Sequence, residues 1–137
     1  MTELTRNKEQ ELIVTSLYDA LIYVDLNKEF DLKEIMSGVF KLPYEDIPVF
    51  SKEVVIKALS HINDMIPIYQ ERMPTWRFDR INNISKAILF MAYTEMNYVS
   101  GGVKSIIIDV SVRLAKKYLD EKDYKFINAI LDKVLWI

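Results

Sequence analysis

The chain has 137 residues, half of them apolar and 28% charged, a balance that suits one folded domain and excludes a disordered chain or a large catalytic domain joined to a recognition domain. It contains no cysteine, so thiol nucleophiles, thiolate metal sites and disulfide staples are excluded together. Net charge is −2, but residues 1–72 carry 8 basic and 13 acidic side chains whereas residues 73–137 carry 10 and 7, which places any cationic surface in the second half.

Three glycines and four prolines punctuate the sequence, and between them apolar residues recur at helical spacing, which predicts an all-α protein. A first helix is expected from about Thr5, its N-cap, to about Val24, with Ile13, Val14, Leu17, Leu21 and Val24 as the inner stripe. A second follows Asp31 as "LKEIMSGVF" and stops before "KLPYEDIP", whose prolines mark an exposed turn or extended connection. The third opens at Ser51, turns Val54, Val55, Ala58, Leu59 and Ile62 inward, and must end or kink at Pro67. A short helix around Phe78 to Asn82 leads into a longer one, "SKAILFMAYTEMNY", with Ser85 as its cap and Gly101 and Gly102 as its stop. The segment "VKSIIIDVSVRLAKKYLD" is rich in β-branched residues, yet Ser105, Asp109, Arg113, Lys116, Lys117 and Asp120 form one stripe and Ile106, Ile107, Val110 and Leu114 the other. That is helical spacing. Asp123 caps the last helix in this reading, and seven helices result, one of them very short.

Little in the chain suggests bond chemistry. The single histidine, His61 in the third helix, has no orienting cluster, and "SGG" at a helix end lacks the strand and the Lys-Ser/Thr of a phosphate cradle. No catalytic, metal or cofactor residue is assigned. Glu95 falls on an apolar helix face, where burial would demand hydrogen bonds or a cation, with Arg80 and Lys86 as candidates. No apolar run reaches the roughly 20 residues that cross a bilayer, and "MTELTRNKEQ" has no apolar signal core, so a cytoplasmic protein is expected.

Lys116, Lys117, Lys122 and Lys125 bracket the junction of the last two helices. A helix start offers backbone N–H groups to anions, and Tyr124 and Phe126 offer rings to an unstacked base, a pattern that suits single-stranded RNA. The alternative is a lysine-rich solvated turn beside two core aromatics. Arg6 and Lys8 stand among Glu3, Glu9 and Glu11 at the first helix. Asn128, set in "YKFINAILDK", is expected to bond across to a neighbouring helix backbone, because an unsatisfied buried amide costs about 1–3 kcal/mol.

The runs "KAILFMAYTEM" (Lys86 to Met96), "IDVSVRLAKKY" (Ile108 to Tyr118) and "KFINAILDK" (Lys125 to Lys133), in that order, resemble the C-terminal half of NusB-type transcription antitermination factors. "WRFDRI" (Trp76 to Ile81) is similar to the lead-in of that half, and "IVTSLYDA" (Ile13 to Ala20) more loosely to the family's first helix. The resemblance implies one NusB-like domain of two packed helical subdomains, about 1–72 and 73–137. It implies a non-catalytic adaptor that binds boxA-like single-stranded RNA with a NusE-like small ribosomal subunit protein and reaches the RNA polymerase elongation complex indirectly. RNA contacts would fall on Arg6 and Lys8 at the first helix and on Lys122, Lys125 and Phe126 at the last. Tyr18, Asp79 and Ser85 would lie near the protein partner, and the resemblance also allows a homodimer that hides the basic face.

The family's opening, of the type "R-R-x-A-R-E", is reduced here to "TRNKEQE". Losing two or three phosphate contacts would flatten the salt dependence of binding. A second expectation is therefore a NusB-fold protein-interaction module that has lost most RNA binding. The resemblance also extends to the NusB-like domain of certain RNA cytosine methyltransferases, but this sequence shows no cofactor-binding half and no enzyme activity is expected.

Overall fold

In the computed structural model, which describes residues 4–135, α1 (Arg6–Asp25) begins where the sequence predicts, with Thr5 Oγ1 accepting the Lys8 N–H at 3.1 Å. Ile13, Val14, Leu17, Ala20 and Leu21 are buried, but Val24 is 44% exposed because the last turn of α1 runs beyond the core. Asp31 caps α2 (Leu32–Phe40), which buries Met36 and Phe40. The connection that follows contains a 3-10 turn at Tyr44–Asp46 and is pinned to the core by buried Ile47, so it is less exposed than its prolines suggest.

The expected third helix is two helices, α3 (Val49–Ser60) and α4 (Ile62–Glu71), and the break falls at His61 rather than at Pro67. The His61 carbonyl accepts the N–H groups of Asp64 and Met65, which restarts the ladder in a new direction. Pro67 then sits inside α4 on a solvent-facing side with exposed Asn63, whose carbonyl would have received the missing N–H. Leu59 and Ile62, beside the break, are half-buried.

A 3-10 turn at Phe78–Arg80 leads into α5 (Asn83–Asn97), followed by α6 (Lys104–Tyr118) and α7 (Glu121–Val134). Both predicted caps shift by one turn. Asn82 caps α5 by accepting the Ser85 N–H at 2.8 Å, and Asp120 caps α7 by accepting the Asp123 N–H at 3.1 Å. Seven α-helices and two 3-10 turns thus make an all-α fold among the described residues.

Helix α5 lies at the centre. Ala87 to Ala92 are all buried, and α1, α3, α4, α6 and α7 pack around them. The Tyr69 hydroxyl of α4 donates to the Leu89 carbonyl at 2.6 Å, and the Phe78 ring centre stands 5.6 Å from that of Tyr69 and 5.5 Å from that of Phe90. In α6 the inner stripe is Ile107, Val110, Ser111, Leu114 and Ala115, which leaves Ile106 outside it at 59% exposure, contrary to expectation. In α7 Ile127, Ile130, Leu131 and Val134 face inward, so Asn128, about 100° further round the helix, faces solvent and does not bond to a neighbouring backbone.

Gly101 has φ +89°, and Gly102 packs so tightly on α5 that an added Cβ would strike the Glu95 carbonyl oxygen and lie 3.0 Å from Met96 Cα. Gly102→Ala is expected to lower stability by about 1–3 kcal/mol. Gly38, exposed in mid-α2 with open space around it, is the opposite case, and Gly38→Ala is expected to add about 0.5–1 kcal/mol. Urea-denaturation midpoints of the two variants check both signs.

Candidate nucleic-acid interface

The loop between α4 and the second 3-10 turn is built around Gln70. Its amide nitrogen donates to the carbonyls of Met73 at 3.0 Å and Trp76 at 2.6 Å, while its oxygen accepts the Phe78 N–H at 2.8 Å. This clamp turns the Trp76 ring outward, 64% exposed, at the mouth of a cleft of about 700 Å³. Arg77, Arg80, Asn82, Lys122 and Phe126 line that cleft. Lys122 and Phe126 reach it together because they stand one turn apart on α7, and the Lys122 ammonium lies 5.5 Å from the Trp76 ring centre.

The other predicted cations are elsewhere. Lys125 also stands one turn from Glu121, on a different strip of α7, and pairs with it at 2.6 Å. Lys117 donates to Glu11 at 2.6 Å and Lys8 donates to the same carboxylate at 3.0 Å, joining the end of α6 to the start of α1. These two bonds, the Lys117 one first, hold the Glu11 carboxyl below its usual value. Lys116 lies 5.2 Å over the Tyr124 ring, and Arg6 lies 3.5 Å over the Phe50 ring with Glu9 beside it. The lysines that neighbour one another along the chain are therefore dispersed, Lys122 to the Trp76 cleft, Lys117 to the α1–α6 edge, and Lys116 and Lys125 to separate local contacts on Tyr124 and Glu121.

Within the cleft, Arg77 is held by Asp79 through two bonds of 3.1 and 2.7 Å, while Arg80 makes no ion pair among the described residues. Lys86 donates to the Asp79 carbonyl at 3.0 Å. Of the expected partner-facing residues, Asp79 is exposed, Tyr18 is half-buried, and Ser85 is buried with no hydrogen-bond partner for its hydroxyl. Glu95 is buried too, but neither Arg80 nor Lys86 reaches it. Gln10 Nε2 donates to its two oxygens at 3.0 and 3.2 Å. His61, at the α3–α4 break, stacks on Tyr98 at 4.1 Å and faces Asp64.

Trp76, Arg77, Arg80 and Asn82 form the cleft wall that residue chemistry alone did not single out, and Gln70 holds the loop that carries them. The available signal was the pair of arginines flanking an aromatic in "WRFDR".

The sequence model of the NusB family matches residues 7–135. The chain belongs to the NusB family. A Finegoldia magna relative, a transcription antitermination protein NusB, is 36% identical over 118 residues, covering 84% of this chain and 85% of the relative. An Exiguobacterium NusB is 33% identical over 96 residues, covering 70% of this chain and 75% of its own. The NusB of T. maritima superposes with a TM-score of 0.81 at 18% identity, over 98% of this chain and 92% of that one. A structure of antitermination factors NusB and NusE in complex with dsRNA gives a TM-score of 0.77 at 20% identity, over 96% and 98%. The NusB-like runs read from the sequence form α5, α6 and α7, and the tryptophan of the lead-in is the ring at the cleft mouth.

Gln70→Ala would release three backbone groups at once in this NusB-family chain. A loss of about 1–3 kcal/mol in chemical denaturation is expected, with faster hydrogen exchange at the Phe78 amide. Unchanged protection at Phe78 would show that the loop holds itself without the clamp.

Proposed function

We propose that this chain is a non-catalytic antitermination adaptor that holds boxA-like RNA in the Trp76 cleft, jointly with a NusE-like ribosomal protein. The observation that carries this reading is the exposed Trp76 ring under the Lys122 ammonium, with Arg80 nearby and without an ion pair among the described residues. A base stacking on Trp76 would gain about 1–3 kcal/mol, while Lys122 and Arg80 would meet the adjoining phosphates. Relatives named as transcription antitermination proteins, and a solved complex of NusB with NusE and RNA, support the same reading. The α1–α6 edge adds less, because Lys8 and Lys117 share Glu11 and an RNA phosphate would have to compete with that carboxylate. Tyr18 and exposed Asp79 are the residues of the expected protein-facing side that a partner can touch.

A second reading, a protein-interaction module with little RNA affinity, is favoured by one fact: Lys8, Lys117 and Lys125 are all paired with acids. The two readings separate in a fluorescence-anisotropy titration of boxA-like RNA, with and without NusE, at several salt concentrations. With two or three phosphate contacts in the cleft, log K should fall against log salt with a slope of about −1.4 to −2. Trp76→Ala should weaken binding by about 5-fold or more, and Lys122→Ala should reduce the slope. No binding with or without NusE leaves only the second reading.

A further inference from the structure

Two carboxylates are buried among the described residues, Glu9 and Glu95, and their surroundings differ. Glu9 accepts the Ser51 hydroxyl of α3 at 2.8 Å and lies 3.8 Å from the Arg6 guanidinium. Glu95, on α5, receives only a neutral donor, the Gln10 amide of α1. The oxygen of that same amide is buried without any donor. The pair therefore lacks one hydrogen, and a proton on Glu95 would remove a desolvated charge and supply a donor to a buried pair that holds an acceptor without one.

The elements around Glu95 offer no better counter-charge. The buried faces of α3, α4, α6 and α7 carry Ser51, Tyr69 and Ser111 as their polar side chains and no charged one. Lys57 of α3 donates its ammonium to the Tyr98 carbonyl instead. From α1, Arg6 is the cation whose field reaches Glu95, and it already serves Glu9 while lying against Phe50. When Glu95 is ionised, one guanidinium at the start of α1 faces two carboxylates; when it is protonated, it faces one.

We propose that Glu95 is a positioning residue whose gain or loss of a proton sets the seating and the local charge of the first turn of α1, and with them the availability of Arg6 to an RNA phosphate. The link to RNA rests on the function proposed above; the seating of α1 does not. Burial pushes the Glu95 carboxyl from 4.5 up to about 7, against smaller opposing effects of the Gln10 bond and of Arg6. The folded chain thus binds a proton that the unfolded chain releases between those values. Stability from this group is present at low pH and is lost as pH rises through about 7.

The test follows the Tm of the full chain, and its affinity for boxA-like RNA, from pH 8 to pH 5.5 in one buffer series at constant salt. The Tm should rise as pH falls and RNA binding should tighten several-fold. Glu95→Gln, which cannot ionise, should flatten both profiles. Gln10→Met removes the amide that favours the charged form and should move the midpoint to higher pH. Substituting the sole histidine, His61→Gln, should leave the slope in place. A native Tm that does not change over this range, or a slope that survives in Glu95→Gln, overturns the proposal. A Tm profile that behaves as described, with no RNA bound at any pH, supports the seating of α1 by Glu95 and overturns the RNA-binding reading instead.

Discussion

Enclosure of α5 on every side is the constraint on which the rest of the structure depends. A helix buried from Ala87 to Ala92 must be covered by neighbours of small or well-fitted side chains, and α1, α3, α4, α6 and α7 supply that cover. Its two ends are fixed differently. At the start, the Asn82 cap and the Gln70 clamp set the path of the loop that exposes Trp76. At the far end, Gly102 lies against the Glu95 carbonyl and turns the chain into α6. The candidate interface is thus an outer consequence of a packing problem solved inside.

Charge is distributed by the same geometry. The basic half of the sequence does not produce one broad cationic face, because helical rotation sends Lys122 and Lys125 to different strips of α7 and because Glu11 draws Lys8 and Lys117 together. What remains is a small aromatic cleft with few cations. Such a site suits a ligand that is also held by a second protein, since joint binding multiplies two weak affinities. The fold itself is shared with T. maritima NusB at low sequence identity, so function has to be argued from this cleft rather than from topology.

Much of the helical framework was legible because apolar spacing is a local property. The differences have physical causes. Ser85 and Asp123 resemble caps in the sequence, but each is the third helical residue, the one whose N–H the true cap accepts, so both polar ends of the motif look alike. Pro67 is the expected break because a proline in a helix interior is usually disruptive, but here the lost hydrogen bond lies on the exposed side of α4. Asn128 looked buried from its neighbours in sequence; the four inward residues of α7 leave it outside. The Gln70 clamp and the Gln10–Glu95 pair were not legible at all, since one shapes irregular backbone and the other joins residues 85 apart.

The central claim is that RNA enters at Trp76 and α7, with the start of α1 contributing less. Chemical-shift mapping of isotope-labelled protein during titration with boxA-like RNA locates the contact directly. The account predicts the largest changes at the Trp76 indole, the Arg80 guanidinium and the amides of Lys122 to Phe126. Changes confined to Lys8, Glu11 and Lys117, with the Trp76 indole unmoved, would contradict it.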